Sequence, residues 1–101
     1  MKKLILILPL LALSLSGCFW EEEAKRESIT KGWSPKTFFN QAKEQISAGS
    51  MEEAIKLFEQ LQAAYPGSKY ALQSKLETAY ALYKSEDYDQ AIDRLNAYIK
   101  L

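Results

Sequence analysis

The chain has 101 residues, enough for one small domain. Thirteen Lys and Arg balance thirteen Asp and Glu, and loss of Lys2 and Lys3 with a leader leaves eleven bases against thirteen acids. No basic field is left to hold a polyanion, which argues against nucleic-acid binding. With no His and a single Cys there is no imidazole base, no Ser-His-Asp or Cys-His nucleophile and no HExxH zinc site. Four glycines do not make a phosphate-cradling loop. The expectation is a protein that is not an enzyme, with no catalytic residue, metal or cofactor.

The amino terminus reads MKKLILILPLLALSLSGC. Two lysines precede an apolar run from Leu4 to Leu15, interrupted by Pro9 and too short to span a bilayer, which is the pattern of a secretory leader over residues 1–17. Leu15-Ser16-Gly17-Cys18 resembles the bacterial lipobox. That resemblance implies cleavage behind Gly17, a diacylglycerol on the Cys18 sulfur and a further acyl chain, such as palmitate, on the new amino terminus. Two or more chains anchor stably where one is marginal, each buried methylene contributing about 0.8 kcal/mol. Lipidation also accounts for a lone cysteine in an oxidising compartment. Phe19 stands where Asp resembles an inner-membrane retention signal, so the expected location is the outer membrane, lipid-anchored and facing the periplasm.

Residues 18–33 are expected to form the acylated terminus and a polar tether, because FWEEEAKRESITK has no sustained apolar face. Thirteen extended residues reach at most ~45 Å. Regular structure is predicted to begin at Trp33-Ser34-Pro35, with Ser34 as cap, Pro35 in the first turn and Trp33 stapled to Phe38. A first helix should run from Pro35 to about Ala48 and stop at Gly49. Ser50 and Glu53 should form a capping box for a second, which carries Ala54, Ile55, Phe58, Leu61 and Tyr65 on one stripe to about Ala64. Tyr65-Pro66-Gly67-Ser68 breaks the pattern. A third helix is predicted from about Ser68 to Lys84 with Leu72, Leu76, Ala79, Tyr80 and Tyr83 on a broad face. A fourth is capped by Asp87, with Tyr88, Ala91, Ile92, Leu95, Tyr98 and Ile99 on its stripe. The carboxylate pairs Glu52 with Glu53 and Asp87 with Asp89 sit at helix starts, where acids offset the macrodipole.

The two hairpins repeat. Ala42 matches Ala79, Ser50 matches Asp87, Ala54 matches Ala91, Ile55 matches Ile92 and Phe58 matches Leu95, each pair 37 residues apart. The spacing of Ala42, Ala54, Phe58 and Pro66 resembles the tetratricopeptide repeat, with a longer link than its usual period of about 34 residues. The sequence departs from that pattern where Phe38 and Lys75 replace the early Trp, and where Leu61 and Tyr98 replace a late small residue. The fold class is therefore all-α, tandem helical hairpins of an α-solenoid, with one repeat over 34–67 and a second, truncated one over 68–101. Two repeats are fewer than such stacks usually need, so the chain is read as a piece of a longer protein or as one that uses its last face for a partner. By this resemblance the inner, peptide-facing positions are Phe39, Lys43, Gln73, Tyr80 and Tyr83. Tyrosine suits a groove because its ring is buried while its hydroxyl still bonds, although Tyr80 and Tyr83 also suit packing between the hairpins.

The lipobox Cys18, Gly32-Trp33-Ser34, the hinge Tyr65-Pro66-Gly67-Ser68-Lys69-Tyr70, the run Leu76-Glu77-Thr78-Ala79-Tyr80-Ala81-Leu82-Tyr83-Lys84 and the final Ala97-Tyr98-Ile99-Lys100-Leu101 together resemble the BamD family of outer-membrane assembly lipoproteins. Gly67-Ser68 stands where relatives often carry Phe-Gly. The resemblance covers about the first two of that family's five repeats. It implies a scaffold of the β-barrel assembly machinery (the Bam complex) that helps receive and insert barrel proteins. The implied partners are barrel-assembly components, unfolded outer-membrane proteins and, through the lipid, the membrane. A general envelope scaffold, pilotin-like or associated with cell division and binding folded periplasmic domains, is the other reading that the residues leave open.

Overall fold

The computed structural model describes residues 25–100. The leader, Cys18, Phe19 and Trp20 lie outside the described residues. The chain divides into two compact units, residues 1–32 and 33–101, each considered by itself.

In the first unit, residues 25–30 are helical, with the Thr30 hydroxyl donating to the Arg26 carbonyl at 3.2 Å. Regular structure thus begins before Trp33-Ser34-Pro35, the expected start: Lys25, Arg26 and Glu27 are good helix formers, and a largely polar composition does not prevent a short helix from closing.

The second unit is four helices: α1 (Pro35–Ser47), α2 (Met51–Ala64), α3 (Lys69–Lys84) and α4 (Tyr88–Ile99). Each packs on the next, and α1 also touches α3, so two hairpins stack as the repeat predicts. The start of α1 follows from three adjacent residues. Ser34 accepts from the Thr37 amide at 3.1 Å, Pro35 supplies a preset φ, and Trp33 meets Phe38 edge-on with centroids 5.3 Å apart. Tyr65, at the far end of α2, closes the hairpin: its ring lies 6.3 Å from Phe38, and its hydroxyl donates to the Trp33 carbonyl at 2.7 Å.

The α1–α2 corner is a Schellman closure. Ser50 N–H donates to the Gln45 carbonyl at 2.8 Å and Gly49 N–H to the Ile46 carbonyl at 3.0 Å, with Gly49 at φ 83. Ser50 makes no side-chain cap, contrary to the expected capping box. Its backbone stands at φ −95, ψ 69, as that of Asp87 does at φ −90, ψ 71, where even the longer carboxylate comes only within 3.5 Å of the first-turn amide; the shorter serine side chain falls short. The start of α2 is left with Glu52 and Glu53 at the positive end of the helix dipole. Ser68 caps α3 through the Tyr70 amide at 3.0 Å. Asp87 caps α4 through a long bond from the Gln90 backbone N–H at 3.5 Å, and its other carboxylate oxygen accepts from the Gln90 side-chain amide at 2.9 Å.

The core is one cluster of Phe38, Ala42, Ala54, Leu57, Phe58, Leu61 and Ala71. The four alanines matched by the repeat, Ala42, Ala54, Ala79 and Ala91, are all buried, as helices that approach closely require. Two details of the predicted faces change. On α2, Leu57 is buried and Ile55 only half so. On α3, Leu72, Leu76, Tyr80 and Tyr83 are exposed, and the buried residues are Ala71, Ser74, Thr78, Ala79, Ala81 and Leu82. The hydroxyls within that face are satisfied. Ser74 donates to the Ala71 carbonyl at 2.6 Å, Thr78 to the Ser74 carbonyl at 2.8 Å, and the Gln62 amide on α2 donates to Ser74 at 2.9 Å. Small polar side chains can therefore carry a close helix contact without leaving buried polar groups unpaired.

Candidate functional site

Leu76, Tyr80 and Tyr83 of α3, which the α2 contact leaves exposed, combine with Tyr88, Ile92 and Leu95 of α4 to line a groove of about 690 Å³. Tyr80 and Tyr83 on α3 face Tyr88 and Ile92 on α4, and the Tyr83 and Tyr88 rings meet edge-on at 5.5 Å. The contribution of α1 is Lys43 alone. Lys43 reaches across to Glu77 on α3, Nζ to Oε1 3.1 Å, and both line the groove. Lys84 lies 5.9 Å from the Tyr80 ring centroid. The groove is thus apolar and aromatic with one ion pair at its α1 edge, a combination that suits a peptide carrying apolar side chains and a small number of polar contacts.

Three of the five inner positions expected from the repeat, Lys43, Tyr80 and Tyr83, line this groove. Phe39 does not: it is half-buried against Phe58 at 5.9 Å and Tyr70 at 5.7 Å, where it seals the first hairpin against the second. Gln73 is exposed and lies outside the lining. Sequence reasoning missed Glu77, although its distance of 34 residues from Lys43, close to one repeat, was a usable signal. A second inter-hairpin pair has nearly the same separation: Arg94 on α4 meets Glu59 on α2 at 3.2 Å.

The repeat also explains why the groove is open. Phe58 in α2 is fully buried, whereas its match Leu95 in α4 is 38% exposed, and Ile92 and Ile99 are exposed with it. In the first hairpin α3 covers the corresponding surface; among the described residues nothing covers it in the second. Among those residues no group of acids and cysteines is arranged to hold a metal ion, and no helix is long and apolar enough to cross a membrane.

Comparison with known proteins places this architecture. A family model for YfiO, described as an outer membrane lipoprotein, matches residues 32–101. The chain is similar to proteins named outer membrane protein assembly factor BamD. It is 34% identical to that of Neisseria gonorrhoeae over 102 residues, a match covering the whole chain and 38% of the relative. The counterpart from Neisseria meningitidis serogroup B is 33% identical with the same coverage. That of Caulobacter vibrioides is 27% identical over 93 residues, covering 91% of this chain and 30% of the relative. The chain spans little more than a third of the length of the Neisseria relatives it matches.

Proposed function

The chain belongs to the YfiO family of outer membrane lipoproteins, and from that premise we propose that it is a periplasm-facing scaffold of the machinery that assembles outer-membrane β-barrel proteins. The observation that carries the reading is similarity along the whole chain to proteins named as assembly factors. The same similarity favours it over a general envelope scaffold of the pilotin or cell-division kind.

In this reading Cys18 carries the lipid anchor, as the lipobox resemblance implies. The polar segment that follows is the covalent link between that anchor and the two hairpins. Unfolded barrel proteins are the substrate, and the groove bounded by Lys43, Tyr80 and Tyr83 receives an apolar stretch of them. Tyrosine rings are well suited to this work: they offer a large face at low entropic cost and keep a hydroxyl for a passing backbone amide. Phe39 and Gln73 do not belong to the contact, since Phe39 is occupied in the core and Gln73 lies off the groove. The scaffold does no covalent chemistry and needs no cofactor.

The test is co-purification from detergent-solubilised envelopes, with the tagged chain compared with its Cys18→Ser variant. Recovery of nascent barrel proteins and assembly components, with release of the Cys18→Ser variant from the membrane fraction, is the expected result. Recovery of secretin, pilus or division proteins in their place overturns the assembly reading.

A further inference from the structure

We propose that Glu77 is a built-in occupant of an anion seat at Lys43, and that it sets how tightly the groove holds a peptide carboxylate. This rests on the groove being a peptide-binding surface and adds the chemistry of one contact. Among the residues that line the groove, only Lys43 and Glu77 carry charge; the others are apolar or aromatic. The pair is asymmetric. The Glu77 side chain is 17% exposed and the Lys43 side chain 48%, so a ligand entering from solvent meets the ammonium while the acid stays shielded behind it. An ammonium has three N–H donors, and Glu77 takes one of them at 3.1 Å.

The surroundings favour an anion further. Outside the lining, Lys84 stands 5.9 Å from the ring centroid of Tyr80, on the groove's aromatic wall. Apolar walls displace water, and a charge contact formed against them is screened less than one on an open surface. The occupant that fits is an apolar or aromatic peptide segment whose carboxylate reaches Lys43 and competes with Glu77 for it. Glu77 then acts as an internal competitor. It lowers affinity for every carboxylate, and it keeps the Lys43 ammonium oriented when the groove is empty. The hairpins do not depend on this pair alone, because Glu59 and Arg94 tie α2 to α4 independently.

The test uses the full chain in detergent and a fluorescent short peptide of alternating Val and Thr with a terminal Tyr, prepared with a free carboxylate and as the carboxamide. The wild-type protein should prefer the acid. Glu77→Gln should bind the acid about 2–5-fold more tightly, the scale of one partly exposed ion pair, and the amide unchanged. Lys43→Gln should lose the preference, and the double variant should bind acid and amide alike. Glu59→Gln is the structural control: loosening the hairpins through it should move both probes together and leave their ratio unchanged. Helical circular dichroism of each variant reports that the fold is kept. An unchanged acid-to-amide ratio in Glu77→Gln, or no binding of either probe to any variant, overturns the proposal. The assembly reading is judged separately by co-purification, which does not use these peptides.

Discussion

Glu86 repeats the backbone corner of Gly49, 37 residues later. Gly49 has φ 83 and Glu86 φ 64, and each is followed by the same pair of closing bonds. At the second corner Asp87 N–H donates to the Leu82 carbonyl at 2.9 Å and Glu86 N–H to the Tyr83 carbonyl at 3.0 Å. A left-handed conformation costs a residue with a Cβ about 1–2 kcal/mol, so one hairpin turns at a relaxed corner and the other at a strained one. Glu86→Gly should therefore raise stability by about 0.5–1 kcal/mol, part of the relief being offset by a more flexible unfolded chain. Gly49→Ala should lower it by about 1 kcal/mol. No atom lies within 4 Å of an added Cβ at Gly49, so that loss comes from the backbone alone. Urea unfolding of both variants measures the two effects; opposite signs are expected.

Tyr65 holds the open end of the first hairpin by one hydroxyl and one ring. Tyr65→Phe removes the 2.7 Å bond to the Trp33 carbonyl and keeps the ring against Phe38. It should cost about 1 kcal/mol, the usual net value of such a bond. Trp33→Ala removes the staple on Phe38 and should cost more than Tyr65→Phe. Equal midpoints in urea for Tyr65→Phe and the wild type would show that the bond contributes nothing.

Ser74 shows where sequence reasoning stopped and gives a third prediction. The helix spans, the turns at Gly49 and Pro66 and the four buried alanines were legible because Gly, Pro and small-residue spacing act locally; the Ser50 capping box and the left-handed corner at Glu86 were not. The buried face of α3 was not. Period and hydrophobicity identify a stripe of Leu72, Leu76, Tyr80 and Tyr83 but do not say which side a neighbour covers, and here the neighbour is met by Ala71, Ser74 and Thr78. The groove was half legible for the same reason. Lys43, Tyr80 and Tyr83 came from repeat positions, while Glu77 enters through a contact between helices. Ser74 is fully buried against α2 with its hydroxyl bonded locally. Ser74→Ala should cost about 1 kcal/mol, because it leaves one Gln62 donor bond unmade. Ser74→Leu should cost about 1–3 kcal/mol by overpacking. If leucine were tolerated as well as alanine, the close approach of α2 and α3 would be disproved.

Phe58 and Leu95 hold the same place in successive hairpins, yet only the first is covered. Phe58 is fully buried in the core, and Phe58→Ala should cost about 3–5 kcal/mol through lost burial and the cavity left behind. Leu95, 38% exposed on the groove wall, forfeits less on truncation: part of its surface already meets water, and no closed cavity is left. Leu95→Ala should cost less than about 1.5 kcal/mol in the isolated chain, while reducing binding of an apolar peptide that uses the groove. Measuring both quantities on both variants separates core from site. A Leu95→Ala loss as large as that of Phe58→Ala would mean that α4 is held by the same cluster as α2 and that its face is not available to a ligand.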